Sequence, residues 1–141
     1  MSPPLRRDAL AVGDVHEAVV VDNLTRTQIV QYAGASGDYN PLHTDEVFAT
    51  QVAGYPSVFA HGMLTMGMTG RMLTDYVGDG RLLRFGGRFT AQVWPGDTLT
   101  ATATVTSLEV REGVATVDLD VATKNQDGVD VFTGTASARV D

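Results

Sequence analysis

The sequence predicts an α+β fold, a curved antiparallel β-sheet wrapped around one long central helix. Three observations carry that expectation. Residues 60–77, AHGMLTMGMTGRMLTDYV, place apolar side chains nearly all round a helical cylinder, so this helix has to be buried nearly all round. From Arg81 onward the apolar period changes from helical to two, the mark of half-buried strands. Short turn sequences, PGD at 95–97 and KNQDG at 124–128, separate the alternating runs and predict an antiparallel meander with one dry face and one wet face.

Taken in order, EAVVVDNL at 17–24 is a β-branched run and reads as the first strand. Thr25 then caps a helix in which Ile29, Val30 and Ala33 fall at helical spacing, and the glycines that follow stop it. After the loop SGDYNPLH at 36–43, a second helix is expected in TDEVFATQVAG at 44–54. Its cap is Thr44, and its first-turn acids suit the helix dipole. In the long helix Leu64, Met68 and Met72 recur every four residues. Gly67 and Gly70 each cost about 1 kcal/mol of helix propensity and suit the close approach of another backbone. RLLRFGGRFTAQVW at 81–94 puts Leu83, Phe85, Phe89, Ala91 and Val93 on one side. The runs at 98–108, 114–123 and 129–140 repeat the alternation.

A chain of 141 residues with 43% hydrophobic and 19% charged residues has the length and composition of one globular domain spanning 1–141. The absence of cysteine excludes a disulfide framework and a thiolate nucleophile. The start, MSPPLRRDALAVGD, carries two arginines without an apolar segment behind them, and no apolar run approaches the ~20 residues of a membrane span. The expectation is a cytoplasmic protein with no membrane insertion. A net charge of −7 with scattered arginines lacks the basic face that nucleic acid requires. Clustering of Arg81, Arg84 and Arg88 in space would still make a small site for an anion.

The chemistry concentrates in SGDYNPLH. Pro41 disfavours the helical region for Asn40, so the segment is an irregular loop that turns Asp38 and His43 back toward one another. A carboxylate and an imidazole aimed at one point can hold a water and move one proton on and another off a substrate. Asn40 can brace the loop through side-chain bonds to backbone groups. The same residue types also serve as plain turn formers, since Asp before a turn and Asn-Pro dipeptides are common in that role. Gly62 starts the long helix, where its N–H has no helical partner and carries the positive end of the dipole. That is a place for a developing oxyanion, or simply a tight junction.

The remaining histidines read as structural. His61 is a capping or hydrogen-bonded residue at the mouth of the helix, and His16 is exposed. Three histidines without cysteine or short spacing make a poor metal set. Trp94 is expected to pack at a strand end. Tyr39, Tyr55, Phe59 and Phe85 belong either to an apolar ligand pocket or to the plain core.

YAGASGDYNPLHTDEVFA, then FAHGMLTMGM, then RFTAQVWPGDTL together resemble the MaoC-like, R-specific enoyl-CoA hydratase (hydratase 2) family and the bacterial (R)-3-hydroxyacyl-ACP dehydratase subunits related to it. The resemblance covers nearly the whole chain and includes the ordered motif G-D-x-N-P-x-H. It implies a hotdog fold and (R)-specific hydration of trans-2-enoyl thioesters, or the reverse dehydration. It implies catalytic Asp38 and His43, a loop-supporting Asn40, and a Gly62 amide that polarises the thioester carbonyl. An acyl-CoA or acyl-ACP substrate is implied, with no cofactor and no metal. So is a homodimer, or a heterodimer with a related hotdog subunit. Two other roles stay open: a binding or chain-length-setting subunit, and a thioesterase on the same fold.

Overall fold

A computed structural model describes residues 3–141. The regular elements are β1 (Val15–Val21), α1 (Arg26–Ser36), α2 (Gly62–Val77), β2 (Leu82–Phe89), β3 (Leu99–Arg111), β4 (Val114–Lys124) and β5 (Asp130–Val140). Among the described residues, no helix is long and apolar enough to cross a membrane.

Thr25 caps α1 as the sequence predicts, and with Gln28 it completes a reciprocal capping box. Gly37 ends the helix in the left-handed region at φ 77°, a conformation that costs glycine least. The second helix differs from expectation. Residues 41–44 form turns, and the helical segment that follows is short and continues as a π-turn, Phe48–Val52. Its cap is Asp45, whose Oδ1 accepts from the Phe48 N–H at 3.1 Å, and not Thr44.

The five strands form one antiparallel sheet in the order β1-β3-β4-β5-β2. The meander is therefore correct for β3, β4 and β5 but not for β2. That strand reaches the far edge beside β5, because α2 carries the chain across the concave face before β2 begins. Strand β1 starts two residues earlier than its β-branched run and pairs with β3. Strand β2 ends at Phe89, leaving Ala91 and Val93 outside it. A register shift between Leu82 and Arg84 also leaves Leu83 56% exposed, so strict odd-position alternation fails there.

The sheet curls around α2 in the hotdog arrangement. Met72, Leu73 and Val77 of α2 pack with Leu119, Val121 and Phe132 in the main core. Ala101, Ala103, Ala136 and Ala138 are fully buried in that same cluster, and small side chains there let the helix lie close to the strands. Where β2 meets β5, Gly87 pairs with Gly134, and a Cβ on either would run into the opposing backbone. A second cluster of Val21, Leu24, Ile29, Ala60, Val93 and Val131 seats α1 against the approach to α2.

Burial of α2 is one-sided, which corrects the expectation of a helix buried all round. Thr65, Thr69, Met72, Leu73 and Val77 are buried, while Met63, Gly67, Arg71 and Asp75 form an exposed stripe. Apolar character spread round a helix does not say which neighbours lie within the same chain.

Candidate active site

The loop after α1 is held by its own short polar side chains. Ser36 Oγ accepts from the Asp38 N–H, Asp38 Oδ1 from the Asn40 N–H at 3.3 Å, and Asn40 Oδ1 from the Leu42 N–H at 3.0 Å. The Asn40 carbonyl accepts from the His43 N–H at 3.0 Å, which makes Asn40–His43 a β-turn with Pro41 at its second position. Asn40 thus braces the loop as the sequence suggested. Farther along, Arg26 donates to Glu46 Oε2 at 2.6 Å, and the same oxygen accepts from the Val58 N–H. The Arg26 hydrogen bond holds the Glu46 carboxyl below its usual range.

This frame brings Asp38 Oδ2 to 3.9 Å from His43 Nε2. That is longer than a hydrogen bond, yet one oxygen at ~2.8 Å from each atom can touch both. The backbone carbonyl of Phe59 accepts from His43 Nδ1 at 2.7 Å. A carbonyl only accepts, so Nδ1 carries a proton, and Nε2 is the ring nitrogen that faces Asp38. His43 is buried and Asp38 is half-exposed, so the pair sits where a deep group meets one that reaches solvent.

His61 completes the arrangement. Its Nε2 donates to the Asp38 backbone carbonyl at 3.0 Å, and its ring stacks on His43 with centroids 3.8 Å apart. It makes no side-chain cap on α2, so of the two structural roles expected for it the hydrogen-bonded one is correct. Burial pushes the His61 imidazole below its usual range, and the neighbouring His43 adds to that effect. Asp38, His43 and His61 lie close enough to suggest metal ligands. The stacking argues otherwise: an ion bound in the plane of one ring lies outside the plane of the other.

Gly62 is the first residue of α2, directly after His61. It lines a cleft of about 200 Å³ together with Phe59, Thr65, Phe89 and Val131. A Cβ on Gly62 would come within 2.8 Å of the Phe89 ring, so glycine keeps the cleft open at the helix N-terminus.

Other expectations separate. Arg81 is tied to the Asp141 carboxylate at 2.6 Å, while Arg84 and Arg88 line an open groove of about 650 Å³ with Asp120, so the three arginines do not form one anion site. His16 is half-buried and stacks on Tyr76 at 4.3 Å instead of standing free. Trp94 packs on Tyr55 and Phe59 beside the 95–97 turn. Phe59 lines the cleft, Phe85 packs on the main core, and Tyr39 is exposed. The sequence reading did not single out the Phe59 carbonyl or Thr65. A threonine on the buried face of an apolar helix was the available signal for the second.

A family model described as MaoC like domain matches residues 9–127. This chain belongs to that family. It is 42% identical over 89 residues to 3-hydroxyacyl-thioester dehydratase Y of Mycobacterium tuberculosis, covering 61% of this chain and 31% of that protein. The chain spans about a third or less of the length of the curated relatives it matches most strongly. Among solved structures, it is similar to the unliganded R-hydratase PhaJ1 from Pseudomonas aeruginosa. That likeness has a TM-score of 0.84 and 26% identity over 97% of this chain and 86% of the other. A chain of the ChsH1–ChsH2 complex from Mycobacterium tuberculosis matches with a TM-score of 0.76 and 26% identity, over 93% and 98% of the two chains.

Proposed function

We propose that this chain is an (R)-specific hydratase/dehydratase acting on acyl thioesters, with Asp38 and His43 as its catalytic pair. The observation that carries the reading is the Asp38–His43 approach at 3.9 Å, with the His43 tautomer set by Phe59 so that Nε2 is free to exchange a proton. Water adds to C3 of a trans-2-enoyl thioester. One member of the pair takes the proton that water loses, and the other gives a proton to C2, so the pair ends the cycle with as many protons as it began. Negative charge gathers meanwhile on the thioester oxygen. The Gly62 N–H at the dipole-positive start of α2 can stabilise it by ~3 kcal/mol. The chemistry is redox-neutral, and the thioester is itself the electrophile.

CoA and acyl carrier protein thioesters are both candidate substrates. A second hotdog chain, identical or related, is the partner this reading favours. Met63 on the open stripe of α2 and Phe89 on the edge strand are 54% and 50% exposed, apolar surface that a partner would cover. The likeness to a chain of the ChsH1–ChsH2 complex supports this reading.

The test is loss of conjugated enoyl-thioester absorbance with trans-2-enoyl-CoA, alongside the Asp38→Asn variant and chiral analysis of the product. Rapid loss in the wild type, none in the variant, and an (R)-alcohol product are the expected results. No turnover by a folded protein, across chain lengths and with carrier-protein thioesters, would defeat the proposal and favour a binding subunit.

A further inference from the structure

Thr65 sits one helical turn after Gly62, on the buried face of α2 and 2% exposed. Its Oγ1 has no hydrogen-bond partner among the described residues. That is unusual for a helical threonine, which ordinarily turns its hydroxyl to a carbonyl three or four residues back. The threonine of the next turn follows the rule of satisfaction, with Thr69 Oγ1 bonded to Thr123 Oγ1 at 2.6 Å. Thr65 instead lines the cleft that Gly62 opens, whose walls are mostly apolar, Phe89 and Val131 among them; Gln92 also lines it but makes no hydrogen bond to Thr65. Helical side chains lean toward the N-terminus, so the Thr65 hydroxyl overhangs the turn that begins at Gly62.

A developing oxyanion is best held by two donors, and the site described so far supplies one, the Gly62 N–H. We infer that the Thr65 hydroxyl is the second donor to the thioester oxygen, placed beside the Gly62 amide and left unsatisfied until substrate arrives. This rests on the thioester reading above. One internal competitor exists. His61 Nδ1, four residues earlier, is also buried without a partner, and a rotated Thr65 hydroxyl could serve it instead.

The experiment compares the full-length wild type with Thr65→Val and Thr65→Ser. It measures kcat and KM on a short trans-2-enoyl-CoA, Tm, and calorimetric Kd for the saturated acyl-CoA of the same length. Valine keeps the shape and removes the unsatisfied hydroxyl. The expected result for Thr65→Val is a kcat lowered about 100- to 1000-fold with KM little changed, the usual effect of losing one oxyanion donor. Its Tm should be unchanged or raised, and Thr65→Ser should recover most of the rate. A Thr65→Val kcat within about twofold of wild type overturns the inference. A Tm that falls along with kcat assigns the hydroxyl to His61 and overturns it equally. A wild type that binds the saturated thioester but turns over no enoyl thioester defeats the proposed reaction alone. In that case a Thr65→Val Kd weaker by about fivefold still supports the contact, and an equal Kd overturns it. Neither binding nor turnover by the wild type overturns both.

Discussion

Residues 36–62 and the β3–β5 meander differ in how far side chains help to satisfy the backbone. In the meander the ladders from Thr100↔Lys124 to Ala115↔Val140 pair main chain with main chain, so inward side chains are free to be pure core. In the 36–62 segment no ladder exists, and Ser36, Asp38, Asn40, Asp45 and both site histidines hydrogen-bond to main-chain groups. What those side chains have left over is the chemistry. Asp38 commits Oδ1 and keeps Oδ2; His43 commits Nδ1 and keeps Nε2. The loop is braced by its engaged polar atoms, and the proposed chemistry rests on those engaged at one end only.

The sharpest way to break this contrast is a variant that removes function and leaves the fold in place, at the cost of one buried hydrogen bond. His43→Ala is expected to lower kcat/KM about 10³-fold, within the range for losing a general acid–base group. Far-UV circular dichroism and cooperative melting should persist, because the core lies elsewhere; collapse of the fold would make the loop structural first. The reverse case is Leu119→Ala in β4, 1% exposed in the main core. It should cost ~2–5 kcal/mol in denaturant unfolding while the folded fraction keeps its kcat. An equal loss of kcat in folded protein would mean that the meander and the site are not separable.

Smaller effects sharpen the boundary. Thr25→Ala removes half of the capping box on α1, the helix that delivers Asp38, and is expected to cost ~1 kcal/mol with little change in KM. A large change in KM would show that α1 positions substrate as well as the loop. The smallest effect is a pH slope. Burial lowers the His61 pKa in the folded state, so the unfolded chain binds more protons near and below 6.5, and stability falls as pH drops through that value. Glu46, whose carboxyl is also lowered, contributes only below about 4.5 and stays outside this window. Tm should therefore decline between pH 7.5 and 5.5, and His61→Gln, which keeps an N–H donor, should flatten the decline. An unchanged slope in His61→Gln would assign it to other groups.

Much of this architecture is legible in the sequence. Period-two alternation identified β3, β4 and β5 because one face of each packs on α2 and the other does not. The end of α1 was legible in Gly37, and the turn in Asn40-Pro41, since both act through local backbone geometry. The differences from expectation have two causes, one local and one distant in the chain. Thr44 and Asp45 are both competent caps, and the choice depended on the turn at 41–44. The register shift near Leu83, the open stripe of α2 and the separation of Arg81 from Arg84 and Arg88 depend on partners distant in the chain.

The sequence by itself determined the element types, the family motif and the residues able to transfer protons, because these follow from side-chain chemistry and from periods of a few residues. Only the tertiary structure decided that β2 closes the far edge of the sheet. Only it decided that the Phe59 carbonyl selects the tautomer of His43 and that His61 holds the Asp38 backbone. Those contacts join residues 16 and 23 positions apart in the chain, and no local pattern encodes which distant carbonyl an imidazole will find.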